Sequence, residues 1–196
     1  MKAYYDARAR EYDEWYEGLG RFDGLERPRW DEDVRELERV VASLPPLRTL
    51  DVACGTGFLT RHLRGEIVGL DQSAAMLAIA QERVPRGEFI LGDALELPFE
   101  DGSFDRVFTG HFYGHLEPGV RETFLLEARR VARELVVVDS AARDDRQDEE
   151  RQERVLNDGS RWEVYKRYFT GAGLADELGG GEVLHEGRWF VVVRSG

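Results

Sequence analysis

The chain has 196 residues, a length that suits one folded domain with a sizeable core, and a formal charge of -12 that repels phosphate backbones; with no Lys/Arg stripe interleaved with aromatics, no nucleic-acid partner is expected. A single cysteine and four scattered histidines exclude a disulfide framework and give no zinc-ligand spacing, so no metal is expected. Nothing before Tyr4 resembles a cleavable leader, and no apolar run approaches the roughly 20 residues of a membrane span, so the expectation is a soluble, cytoplasmic protein without a membrane partner.

Residues 1–17 are polar but rich in aromatics. Tyr5, Ala9, Tyr12 and Tyr16 are spaced by four, three and four, which predicts a packed amphipathic helix. Gly18, Gly20, Gly24 and Pro28 mark a loop, and Val34, Leu37, Val41 and Leu44 predict a second helix stopped by Pro45-Pro46.

From Leu47 the pattern becomes short apolar runs, "LRTLDVA", "EIVGLD", "EFILGD", "DRVFTG" and "ELVVVD", alternating with helical stretches. The connections predicted are a helix from Thr56 to Leu63 closed by Gly65, a helix from Ser73 to Val84, a polar stretch through Leu95 to Gly102, and a helix opened by Glu117-Pro118. Continuously apolar strands joined by helices indicate a doubly wound α/β fold with a mostly parallel, seven-stranded sheet and helices on both faces.

Arg143 to Arg154 contains no large apolar residue, so a solvated helix or mobile surface loop is the plainer expectation and a lid over a ligand the sharper one. "RWEVYKRYF" then reads as a strand, Gly171 to Leu178 as a short helix, and "EVLHEGRWFVVV" as two strands joined at Glu186-Gly187, a hairpin that makes one terminal strand antiparallel. The expected organisation is one domain: a helical cap over 1–46, a ligand-binding core over 47–140, and a charged insertion with a C-terminal hairpin over 141–196.

"TLDVACGTGFLT" places Gly55 and Gly57 between a strand ending near Ala53 and a helix expected from Thr56. Two glycines there permit positive φ and let a ligand lie against the backbone at the carboxyl edge of the sheet. A dinucleotide fingerprint requires a third small residue where this chain has Thr60. Asp51, inside the strand, is a poor neighbour for a pyrophosphate and a good one for an ammonium group. The loop therefore suits a zwitterionic ligand better than a diphosphate.

"LDVACGTG", "VGLDQSAAML" and "GDALELPF", in this order and spacing, resemble the three S-adenosylmethionine-binding motifs of the class I (Rossmann-like) methyltransferases. The opening "YYDARAREYDEWY" resembles the aromatic N-terminal helix of their small-molecule branch. The resemblance spans about Tyr4 to Val193 and implies binding of S-adenosyl-L-methionine, with S-adenosyl-L-homocysteine as product, and transfer of its methyl group to a small-molecule acceptor. It implies that Asp51, Ala53, Gly55 and Gly57 surround the amino-acid end of the cofactor. Asp71 would accept from both ribose hydroxyls beside Gln72, and Asp93 from the adenine amine, with the Ala94 N–H donating to the ring. Met76, Leu77 and Leu95 would wall the adenine, with core packing an equal account of the first two. Cys54 stands at a position for a small residue and is read as packing rather than as a nucleophile.

After the fourth apolar run, "GHFYGHLEP" faces the same crevice. In extended backbone His111, Tyr113 and His115 share one side, so His111 or His115 would serve as base for an acceptor that arrives protonated. His111, nearer the strand end, would also contact the cofactor, while the family frequently uses the position of His115 structurally. Tyr5, Tyr12 and Trp15 would close over the methionine end or simply pack their helix. "ARRVARELVVVD" lacks the family's usual Pro-Gly-Gly turn, so the local rim of the pocket is expected to differ. The other readings left open are a regulatory module that binds the cofactor with little catalysis, a protein or RNA methyltransferase, and a nicotinamide oxidoreductase.

Overall fold

A computed structural model describes residues 2–196. The apolar runs form β1 (Thr49–Val52), β2 (Ile67–Asp71), β3 (Glu88–Leu91), β4 (Phe104–Gly110) and β5 (Ala132–Ser140). The C-terminal hairpin supplies β8 (Glu182–Glu186) and β9 (Phe190–Ser195). Their order in the seven-stranded sheet is β3-β2-β1-β4-β5-β9-β8. β1 to β5 pair in parallel, and β9 runs antiparallel to both β5 and β8.

Alternation along the strands splits the core between the two faces. Val107, Val137, Val191 and Val193 pack with Phe124, Ala128 and Val131 of α5 (Pro118–Val131) and with Leu174 of α6 (Gly171–Glu177). Phe108, Val136, Val138 and Val192 pack with Val34, Leu37 and Val41 of α3 (Trp30–Ser43). Asp31, Glu32 and Asp33 occupy the first turn of α3, where the helix dipole favours negative charge. α4 (Ala74–Arg83) packs along β2 and β3, and the Ser73 hydroxyl caps it by accepting from the Met76 N–H at 3.2 Å.

The chain moves outward from β1 through β2 to β3 and then returns to place β4 on the other side of β1. The carboxyl ends of β1 and β4 therefore diverge at the switch in strand order, where a crevice forms in such sheets. The glycine loop and the loop carrying His111 are anchored at these two strand ends.

Three local expectations fail for identifiable reasons. The Thr56 to Leu63 helix is an irregular turn with only a short 3-10 turn over Thr60–His62, since Gly57 near its start adopts φ +74° and Leu63 at its end is already extended. The N-terminal helix is broken into α1 (Lys2–Arg8), a 3-10 turn over Ala9–Glu11 and α2 (Glu14–Glu17). The tighter 3-10 winding rotates the buried face, so Tyr4 rather than Tyr5 is fully buried.

The charged segment is a loop of turns and bends over 143–148 and a strand from Glu149 onward. That strand, β6 (Glu149–Val155), pairs in antiparallel fashion with β7 (Arg161–Arg167) as a separate two-stranded sheet. One face of this hairpin is covered by the N-terminal segment, since Leu156, Val164 and Trp162 pack with Tyr4 and Tyr5. Among the described residues no helix is long and apolar enough to cross a membrane.

Candidate active site

A cavity of about 440 Å³ opens at the switch between β1 and β4. Its lining brings together Tyr5, Tyr12, Ala53, Gly55, Asp71, Gln72, Met76, Asp93, Ala94, Leu95, His111 and His115. These come from five separate stretches of sequence, which meet because β1, β2, β3 and β4 end at one edge.

Ala53, just after β1, has φ 57° and His111, just after β4, has φ 56°. They are two of the three non-glycine residues with left-handed backbone among those described. Such strained positions persist where the surrounding structure holds them, and they concentrate at functional sites. Gly55 has φ 55°, and a Cβ there would meet nothing nearer than the Tyr12 ring at 3.9 Å, so its backbone is open to a ligand. Gly57 serves a different purpose: its missing Cβ lies against the Ala80 backbone of α4, where an added atom would come within 3.2 Å. It lets the loop pack on α4 and does not line the cavity.

Asp51 sits one step deeper, beside a small adjoining void of about 20 Å³. Its Oδ2 accepts from the Thr60 hydroxyl at 2.6 Å, while Oδ1 is buried with no partner. Burial pushes its carboxyl up to about 7, opposed by the Thr60 hydrogen bond and assisted by Asp71. Asp71 accepts from the Gly55 N–H at 3.0 Å and from the Ser73 N–H at 2.9 Å. Burial raises its pKa, and these backbone donors pull the other way. Each carboxylate oxygen has more than one acceptor site, so Asp71 retains capacity toward the cavity. Asp93 is exposed to the cavity mouth and accepts from the Leu95 N–H at 2.9 Å, holding the turn that presents Ala94.

His111 is 6% exposed, and neither ring nitrogen has a hydrogen-bond partner. It stands edge-on to Trp15, with ring centroids 5.0 Å apart, and to Phe190 at 5.5 Å. Burial drives its pKa down to about 3, against the pull of Asp139 and with the help of Lys166 and Arg8, so the imidazole is neutral near physiological pH. His115 differs: its Nδ1 lies 2.7 Å from the Tyr165 carbonyl oxygen, tying the loop after β4 to β7. Burial also holds its pKa well below the ordinary histidine range.

The N-terminal segment is fastened over the crevice by polar contacts. Ser73 donates to Asp6 at 2.6 Å, and Asp13 accepts from the Thr56 hydroxyl at 2.6 Å and from Arg83 at 2.5 Å. Tyr5 and Tyr12 consequently line the cavity, and burial raises both phenols, Tyr12 to about 12. Trp15 packs with Tyr16, Trp30 and Phe190 instead. Cys54 is buried with its thiol pushed well above the ordinary range by that burial and by Asp51 and Asp71, which fits packing rather than nucleophilic chemistry. Leu77 is buried in α4 and does not line the cavity.

The opposite rim joins a loop that the sequence marked to a hairpin whose strands it did not pair. Phe112, Leu116, Glu117 and Val120 line it from the loop after β4 and the start of α5, and Arg151, Glu163 and Tyr165 from the hairpin. Arg151 bridges Glu117 at 2.5 Å and Glu163 at 3.4 Å, linking the hairpin to α5 across the mouth. The stretch "GHFYGHLEP" signalled the loop side of this rim, and the lid reading of the charged segment reached Arg151, whereas nothing in the sequence marked Glu163 or Tyr165. The Asp139–Lys166 ion pair, buried at both ends, was also missed. Asp139 additionally accepts from the Gly114 and Ser140 N–H groups at 2.7 Å each.

Residues 50–136 match the family model described as a methyltransferase domain. The demethylmenaquinone methyltransferase of Thermotoga maritima is 42% identical over 108 residues, covering 53% of this chain and 45% of that protein. The counterpart from Bacillus cytotoxicus is 40% identical over 87 residues and 37% of its length, so the chain spans less than half of these relatives. Solved structures of DhpI extend over nearly the whole chain. The DhpI-SAH complex has a TM-score of 0.73 at 28% identity, covering 98% of this chain and 92% of the other. The DhpI-SAM-HEP complex has a TM-score of 0.75 at 27% identity, covering 98% and 94%.

Proposed function

We propose that this chain, a class I S-adenosylmethionine-dependent methyltransferase by its fold and by the match over residues 50–136, transfers the cofactor's methyl group to a small-molecule acceptor by in-line displacement. The observation that carries this reading is the convergence of Gly55, Asp71, Asp93 and His111 on one cavity at the switch point of the sheet. The residues suit the cofactor on physical grounds: Asp51 Oδ1 is a buried acceptor without a donor, and an ammonium group would satisfy it directly or through water.

In this reading the Ala53–Gly55 backbone and Asp51 hold the amino-acid end. Asp71 receives the ribose hydroxyls beside Gln72, and Asp93, the Ala94 N–H, Met76 and Leu95 hold the adenine. When bound, the sulfonium supplies an activated methyl group whose leaving group is already cationic at sulfur. The protein's work is then to hold a nucleophilic atom about 3 Å from the methyl carbon, opposite the C–S bond, and to exclude water. Tyr5 and Tyr12 perform the exclusion from above. Neutral His111 has a free ring nitrogen to accept a hydrogen bond from an acceptor hydroxyl and to take its proton as the new bond forms. His115 acts as a positioning residue through the Tyr165 carbonyl. The one domain runs from an N-terminal cap over 1–46 through the cofactor-binding core over 47–140 to the charged insertion and C-terminal hairpin over 141–196, whose β8 and β9 complete the main sheet.

Methyl-labelled S-adenosylmethionine incubated with the protein and a fractionated small-molecule extract tests this. Label should move into the low-mass fraction with equimolar S-adenosylhomocysteine. Label recovered in protein or RNA, or no product at all from any fraction, would contradict it.

A further inference from the structure

Tyr4, Arg8 and Tyr12 stand four residues apart, the spacing that places side chains one above another along a helix face. The 3-10 turn over Ala9–Glu11 separates Arg8, the last residue of α1, from Tyr12, yet the three side chains still meet. Arg8 Nη1 donates to the Tyr4 hydroxyl at 2.8 Å. The guanidinium lies over the Tyr12 ring at 4.6 Å and over the Tyr4 ring at 5.7 Å. In a chain with 39 acidic and 27 basic side chains, this arginine binds two tyrosines and, among the described residues, has no carboxylate partner.

The two tyrosines differ in what surrounds them. Tyr4 is 2% exposed, packed with Leu156 and Val164 of the hairpin, and its ring centroid is 5.9 Å from that of Trp162. Tyr12 is only half-buried, at the margin of the cluster that contains Tyr16 and Phe58, and it lines the cavity. Its Cε1 lies 3.9 Å from where a Gly55 Cβ would stand, so the ring covers the backbone that receives the amino-acid end of the cofactor. Burial keeps Tyr12 a neutral phenol, with a pKa of about 12 against the pull of Arg8. The guanidinium is therefore attracted to the π face of the ring, and partial burial strengthens that attraction. Arg8 thus joins a ring fixed in the core of the cap to a ring that faces the ligand.

We propose that Arg8 is a positioning residue for cofactor binding: bonded to buried Tyr4 and stacked on Tyr12, it holds the Tyr12 ring over the Gly55 backbone before the cofactor arrives. This rests on the function proposed above and gives the cover of the cavity a support that lies outside it. Without the guanidinium, Tyr12 has side-chain freedom to lose when the ligand binds, and that ordering cost weakens binding. A lysine keeps the charge but lacks the planar group that stacks on one ring while donating to the hydroxyl of the other.

The test is calorimetric titration of S-adenosylhomocysteine into a double-mutant cycle, with urea unfolding to verify that each variant is folded. Arg8→Ala should weaken binding by about fivefold, with Arg8→Lys intermediate. In a Tyr12→Ala background the same Arg8→Ala change should leave the affinity within about twofold, because the ring through which Arg8 acts is gone. A purely structural role for Arg8 would instead weaken binding by the same factor in both backgrounds. Unchanged affinity in folded Arg8→Ala, or an equal loss with and without the Tyr12 ring, would overturn the proposal while leaving the proposed function in place. Absence of S-adenosylhomocysteine binding by the wild-type protein would overturn the proposed function and the role of Arg8 with it.

Discussion

The Thr60 hydroxyl donates to Asp51 Oδ2 at 2.6 Å and leaves Oδ1 buried without a donor. A carboxylate half satisfied in this way is costly to ionise, which is why burial raises Asp51 to about 7.

The stability consequence has a definite sign. Asp51 has a folded pKa above its ordinary 3.8, so its stabilising contribution is complete below about pH 4 and is lost as pH rises through about 7. Asp51→Asn should therefore stabilise the unliganded protein at about pH 8, by a few kcal/mol at most, as read from urea midpoints across pH. The same substitution should weaken S-adenosylhomocysteine binding by about tenfold to 100-fold, because it removes the charge facing the ammonium group. Unchanged affinity would detach Asp51 from the amino-acid end.

His111 has the opposite linkage. Its folded pKa of about 3 lies below the ordinary 6.5, so its contribution to stability is present above about pH 6.5 and is lost as pH falls toward 3. His111→Asn keeps a residue that tolerates the left-handed backbone at φ 56°. It should flatten the loss of stability between pH 7 and pH 5 and lower kcat by about 100-fold, with product affinity little changed. A variant of unaltered kcat would remove His111 from the chemistry.

The hairpin is pinned to the sheet by the Lys166–Asp139 pair, where both side chains are almost wholly buried. Lys166→Ala strands a buried carboxylate and should cost about 3 kcal/mol or more in urea unfolding. Lys166→Met combined with Asp139→Asn should recover much of that loss, because no unpaired charge remains. If the single and double variants unfold at the same urea concentration, the pair is not what holds the hairpin.

The strands and the cofactor side of the cavity were legible because each rested on local information. β1, β2 and β5 are continuous apolar runs, and Asp71 and Asp93 stand at strand ends whose common edge follows from parallel pairing. The hairpin side of the opposite rim was not legible. β6 is polar on both faces up to Val155, so no apolar alternation marks it as a strand, and the hairpin's cover is Tyr4 from the far end of the chain. The swap of Tyr4 for Tyr5 in the core follows from one 3-10 turn that no spacing of apolar residues announces. Lys166 and Asp139 meet across 27 positions, beyond any local pattern.

The central claim is that the Gly55–Asp71–Asp93 cavity binds S-adenosylmethionine. Asp71 is the most informative position, because its carboxylate both receives the Gly55 N–H and faces the cavity. Isothermal titration of S-adenosylhomocysteine into the wild-type protein and into Asp71→Ala, with folding of the variant verified by circular dichroism, tests it directly. The account predicts micromolar binding at one site per chain, weakened on the order of 100-fold in the variant. No binding to the wild-type protein, or equal binding by a folded Asp71→Ala, would contradict it.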